Sequence, residues 1–149
     1  MKHFKFLVLL IAPMLILSSC KKSSNTPPAP TIGMSFKVNG TLVKTDFQEA
    51  ILYTEAKVLN VDGAYNNKST NISISVINPQ VGTFDGIYNQ VQIVIGDSQT
   101  NYGGNTGTVT ITALSDKSVS GTFQFSFYSP TKEMVNITEG QFTTNLIHQ

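Results

Sequence analysis

The chain has 149 residues, with ten lysines, no arginine and nine carboxylates. From residue 32 onward six lysines stand against nine acids, a formal charge of −3, so this region lacks the basic face that a nucleic-acid partner requires. Cys20 is the only cysteine, which excludes an internal disulfide and leaves stability to the hydrophobic core.

The chain begins with the pattern of a secretory signal. Lys2 and Lys5 precede an apolar stretch over residues 6–17, which small residues follow. As a helix this stretch would extend roughly 18 Å, well short of the ~30 Å hydrocarbon core of a bilayer. We therefore expect a segment that is cleaved and not a permanent membrane helix.

The residues Leu17, Ser18, Ser19 and Cys20 resemble the lipobox of signal-peptidase-II substrates. The resemblance implies cleavage between Ser19 and Cys20, acylation of Cys20, and a membrane partner reached through the lipid. The alternative is an ordinary secretory cleavage with a chance cysteine beside it. The lipobox implies a lipoprotein of the cell envelope. No acidic residue directly follows Cys20 to resemble an inner-membrane retention signal, so we expect the outer membrane, with the periplasmic or surface face left open. The predicted organisation is a signal peptide over 1–19, an acylated cysteine and Pro/Ser-rich tether over 20–31, and one domain over 32–149.

The clearest local pattern after the tether is a β-hairpin over residues 34–45. Asn39 and Gly40 separate two alternating segments and tolerate the positive φ of a type I′ turn. A two-residue loop then pairs Phe36 with Val43 and places both on the buried face. Leu42 falls on the opposite face.

Alternating apolar and polar residues predict further strands along the rest of the chain. They cover residues 50–54, 57–61, 71–77, 91–95, 108–113, 119–128 and 135–142, with a bulge at Gly140 where the alternation changes phase. No run shows helical periodicity. The sequence therefore predicts an all-β domain, an antiparallel β-sandwich or flattened barrel of about nine strands, mostly a meander.

Four segments together resemble a family of small Bacteroidetes-type lipoproteins of unknown function. They are residues 38–40, 107–112, 119–123 and 135–142, in that order along the chain. The resemblance covers most of residues 34–143. It implies an all-β fold and a location in the cell envelope, and it implies no chemistry.

A catalytic constellation is not expected. His3 lies in the leader, and His148 lies one residue from a C-terminus that we expect to fray, so no histidine remains in the domain as a general base or metal ligand. A carboxylate pair remains as the one enzymatic alternative. We expect a protein that is not an enzyme, with no metal and no cofactor.

The best candidate ligand site in the sequence is the segment 96–107, interpreted as a long loop. Asp97, Asn101 and Asn105 offer oxygen ligands, and Tyr102 offers a face on which a sugar could stack. The competing interpretation is a flexible Gly/Asn-rich loop. Tyr65 and Tyr88 would join Tyr102 in a rim if their loops converge.

Beside the carboxylate-pair enzyme, the sequence leaves two non-catalytic functions open. The first is a non-catalytic, lipid-anchored binding module for a glycan or small ligand. The second is a protein-interaction subunit or inhibitor within an envelope complex, which would use a strand edge or a loop rim.

Overall fold

The computed structural model describes residues 31–66, 70–86, 91–96, 101–104, 106–128 and 131–149, and the side chains of 91–95 and 101–104 are not part of that description. Ser19, Cys20, Asp97 and Asn105 therefore lie outside the described residues, as do Tyr88, the predicted leader and nearly all of the tether. No helix in the described ranges is long and apolar enough to cross a membrane.

The described residues form eleven strands, which confirms the all-β prediction. The strands are β1 Gly33–Val38, β2 Thr41–Lys44, β3 Phe47–Tyr53, β4 Val58–Tyr65, β5 Thr70–Ile77, β6 Gly82–Asp85, β7 Val91–Gly96, β8 Asn101–Gly104, β9 Thr106–Leu114, β10 Ser118–Tyr128 and β11 Met134–His148.

Nine strands form one continuous path in the order β6-β9-β10-β11-β3-β4-β5-β7-β8, and the hairpin β1–β2 pairs onto β11 beside it. The sheet curls into a half-barrel. Most neighbours are antiparallel, but β11 and β3 run parallel, with Leu146 beside Ala50 and His148 beside Leu52. The antiparallel prediction is wrong at this pair, because the relative direction of two strands so distant in the sequence cannot be read from local alternation.

The first hairpin has the predicted register and turn. Phe36 lies opposite Val43, and Asn39 and Gly40 have φ values of 47° and 84°. Phe36 is fully buried, whereas Leu42 on the other face is exposed. The alternation and the turn therefore agreed on one register, as expected for a two-residue loop.

The bulge predicted at Gly140 is present in β11 directly before that residue, at Thr138 and Glu139. Phe123 lies opposite Gly140 and Phe125 opposite Ile137, so two residues of β11 face Gln124 alone. Within the bulge Glu139 takes a left-handed φ of 51°. The extra residue returns Phe142 to the core side and sends Gln141 outward.

The segment 96–107 is not one long loop, which corrects the sequence interpretation. Residues Asn101–Gly104 form β8, which pairs with β7 so that Tyr102 lies opposite Ile95, and β9 begins at Thr106. The strand was missed because its glycines carry no alternating pattern. Short β6, whose only buried large side chain is Phe84, was missed for a similar reason.

The C-terminus is held in the sheet, contrary to the expected fraying. The backbone N–H of Gln149 donates to the carbonyl of Leu52, and that of Thr54 donates to the carbonyl of Gln149. A ring nitrogen of His148 lies 2.9 Å from the carbonyl oxygen of Asp116.

The core lies on one face of the curled sheet, and we call the opposite face the outer face. It contains aliphatic side chains from every long strand and a group of aromatic rings in which Phe36 contacts both Tyr65 and Phe123. Burying one such side chain contributes about 1.5–3 kcal/mol. The polar residues that alternate with these core positions therefore lie together on the outer face of the sheet.

Candidate functional site

The outer face of the sheet carries a continuous row of polar side chains, which we call the polar row. Its members are direct neighbours across six strands, in the order Thr83, Thr110, Thr122, Gln141, Ser35 and Lys44. Only Lys44, at one end, carries a charge. Such a row exposes hydroxyl and amide groups, each able to donate and accept hydrogen bonds.

Hydrogen bonds within this face orient several of its side chains. The Oγ1 atoms of Thr83 and Thr110 lie 2.9 Å apart, and Nε2 of Gln141 donates to Oγ of Ser35 at 3.1 Å. Beside the row, Oγ1 of Thr143 donates to Oγ of Ser120 at 3.0 Å. These contacts restrain the side chains before any ligand arrives.

A first open groove of about 890 Å³ lies on one side of the polar row. Nine of its fifteen lining residues carry hydroxyl or amide side chains, the others include three large apolar residues, and Lys44 is the only charged residue in it. The lining residues are Thr31, Ile32, Gly33, Met34, Ser35, Lys44, Thr45, Gln48, Thr112, Ser120, Gly121, Thr122, Gln141, Phe142 and Thr143.

A second open groove of about 450 Å³ lies on the other side of the row. It is lined by Thr108, Thr110, Thr122, Phe123, Gln124, Glu139, Gly140 and Gln141. The carboxylate of Glu139 pairs with Nζ of Lys37 at 2.7 Å, so its charge is balanced by a neighbouring cation.

Thr122 and Gln141 line both grooves and lie opposite each other on β10 and β11. Each groove also adjoins a β-bulge. One bulge leaves Thr112 as the extra residue of β9, because Ser120 faces Ala113 and Gly121 faces Ile111, and the other places Glu139 beside the second groove. Bulges break the flatness of a sheet and redirect side chains, and they are common beside binding sites.

The side chains of the four candidate ligand residues from the sequence lie outside the described residues, so that site stays a prediction. Asn101 and Tyr102 lie in β8, but their side chains are outside the description, as are Asp97 and Asn105. Tyr65 ends β4 and packs edge-to-face against Phe36, with ring centroids 5.7 Å apart. Burial raises the pKa of the Tyr65 phenol above its usual value, and the packing gives this ring a place in the core.

One carboxylate pair is formed by the register on the other half of the sheet. Glu49 of β3 lies directly opposite Asp62 of β4, and the hydroxyl of Ser73 donates to the Asp62 carboxylate. Neither acid lines one of the two grooves. Across the described ranges, no group of three or more His, Cys, Asp or Glu side chains could hold a metal ion.

The polar row was not predicted from the sequence, although the alternation of polar and core residues that contributes to it is visible there in two strands. Thr108, Thr110 and Thr112 alternate with core residues in β9, and Ser120, Thr122 and Gln124 do so in β10. That alternation was used only to locate the buried face.

Comparison with protein-family models, with curated proteins and with solved structures found no match to this chain.

Proposed function

We propose that this protein is a lipid-anchored, non-catalytic binding module of the cell envelope that binds a neutral, hydroxyl-rich ligand, a glycan, on its polar row. The observation that carries the proposal is that Thr122 and Gln141 join two open grooves in which hydroxyl and amide side chains make up most of the lining residues, nine of fifteen in the first and five of eight in the second.

The charge distribution supports a neutral ligand. Lys44 is the one charge in the first groove, and Glu139 in the second is already paired with Lys37. A ligand rich in hydroxyl groups exchanges its hydrogen bonds with water for bonds to side chains that donate and accept equally well. A strongly charged ligand would lose hydration without gaining a matching array of opposite charges.

The binding proposal is tested with the full-length chain in detergent against immobilised polysaccharides. Neutral polymers (starch, dextran, mannan and xylan) are compared with the acidic polymers alginate and polygalacturonate. The proposal expects retention by at least one neutral polymer and none by the acidic ones. Retention by acidic polymers alone, or by none of the six, would overturn it.

The anchor half of the proposal rests on Cys20 and the residues before it. The thiol is the only attachment point for a thioether-linked lipid, and two or more acyl chains hold a protein stably on a bilayer. Cys20→Ala should abolish incorporation of radiolabelled fatty acid and processing between Ser19 and Cys20. Acylation of the alanine variant, or a wild-type chain without lipid, would refute the anchor.

A second candidate function, a protein-interaction subunit or inhibitor in an envelope complex, is favoured by the edge of β2. Of the described strands, only β1 pairs with β2. Since Thr45 bonds to Met34, the hydrogen-bonding groups of Leu42 and Lys44 point away from β1, where a partner strand could add. Leu42 is 58% exposed. Capture of one envelope protein that Leu42→Pro abolishes would support this function over glycan binding.

A further inference from the structure

The two grooves have the geometry of linked subsites. They lie on opposite sides of the polar row and meet at Thr122 and Gln141, so a ligand that leaves one groove across this pair enters the other. From Lys44 on β2 to Thr110 on β9 the row crosses four strand spacings, about 19 Å at about 4.8 Å each.

We propose that the ligand is a linear neutral glycan polymer that lies obliquely across the strands and occupies both grooves at once. This inference rests on the proposed function, since it specifies which glycans the same face recognises. The ligand that occupies the two grooves is a chain of several sugar units, and a single sugar or a disaccharide is excluded as the preferred ligand.

The openness of the grooves is the first argument for a polymer. Sites for small molecules are enclosed clefts that bury most of the ligand surface. Here most of the lining residues belong to the outer face of a sheet, with Thr122 and Gln141 exposed. A small sugar would therefore contact protein on one side only, and adequate affinity requires contacts repeated along a chain.

The second argument is the linkage of the two grooves through one pair of residues. When a chain binds the first groove, its next units are held beside the second at high effective concentration, so the second set of contacts adds affinity at little entropic cost. Thr112 lines only the first groove, and Thr108 and Gln124 line only the second. The contributions of the two grooves can therefore be separated by substitution.

The experiment uses the full-length chain in detergent and a size-graded series of oligomers, from monomer upward, prepared from the neutral polysaccharide that it retains. Isothermal titration should show affinity rising with chain length and reaching a plateau. The double variant Thr108→Ala/Gln124→Ala should bind the longest oligomers about tenfold more weakly, as expected for two lost hydrogen bonds. Its affinity for oligomers too short to reach the second groove from the first should be unchanged. Thr41→Ala, on β2 and outside both grooves, is the control and should match the wild type.

Equal affinity for monomer and long oligomers would overturn the polymer inference and leave glycan binding intact. The polymer inference would also be overturned, with glycan binding intact, if the double variant lost affinity equally for oligomers of every length or lost affinity for none of them. Absence of binding to any neutral polysaccharide refutes the proposed function itself, which is a different outcome. Thermal melting of each variant at the wild-type temperature shows that the fold is retained.

Discussion

Gly140 lies against the ring of Phe123, so closely that a Cβ atom at position 140 would be 2.5 Å from the Phe123 ring carbon Cδ2. The two residues are cross-strand partners at the bulge beside the second groove. The absence of a side chain at Gly140 therefore lets a large ring pack in the core while Gln141 faces outward.

This contact predicts that Gly140→Ala destabilises the domain by about 1–3 kcal/mol, the usual cost of forcing extra atoms into a packed core. The control is Gly33→Ala, because an added Cβ there meets no atom within 4 Å. Chemical denaturation should show a clear loss for the first variant and little change for the second. Equal stabilities would mean that both the ring and the backbone carbonyl of Phe123 move aside freely.

The parallel pairing of β11 with β3 joins the two parts of the sheet through the last residues of the chain. Leu146 is buried with 8% of its surface exposed, whereas its neighbour Ile147 is 47% exposed on the other face. Leu146→Ala should cost about 2–5 kcal/mol of unfolding free energy, and Ile147→Ala well under half as much. The reverse order would place the wrong face of β11 in the core.

The fold could be predicted largely from local patterns. Alternation located the long strands, and Asn39-Gly40 determined the first hairpin, because turn type and register are linked over a few residues. The bulge at Gly140 was also readable, from the phase change between Ile137 and Phe142. These features need no information from distant parts of the chain.

The polar row could not be predicted, because it depends on pairings between distant segments. Ser35 and Gln141 are neighbours through the pairing of β1 with β11, and Thr83 meets Thr110 through that of β6 with β9. The strand β6 itself had no usable pattern. The polar and aromatic residues of segment 96–107 therefore led to a site prediction there. The strand pairings place another candidate site on the face of the sheet.

Burial of Tyr65 predicts a pH dependence at the alkaline end. Desolvation raises the pKa of its phenol in the folded protein above the ordinary 10.0, so the folded state holds its proton more tightly than the unfolded chain does. The contribution to stability is complete below about pH 10 and is lost as the pH rises through the folded-state pKa.

Tyr65→Phe should therefore show a shallower decline of melting temperature above about pH 10 than the wild type. Below about pH 10, where the phenol is protonated in both states, the difference in melting temperature between the two proteins should be constant, which serves as the internal control. Identical profiles for wild type and Tyr65→Phe would contradict the burial of this phenol.

The central claim is that the polar row binds a neutral glycan, and the most direct measurement is the dissociation constant of Thr122→Val for the retained polysaccharide. Valine keeps the shape and strand preference of threonine and removes only the hydroxyl that both grooves share. Thr41→Val is the control. We predict binding weakened by about three- to tenfold, for one or more lost hydrogen bonds, with an unchanged melting temperature and an unaffected control. Wild-type affinity in Thr122→Val would contradict glycan binding on the polar row.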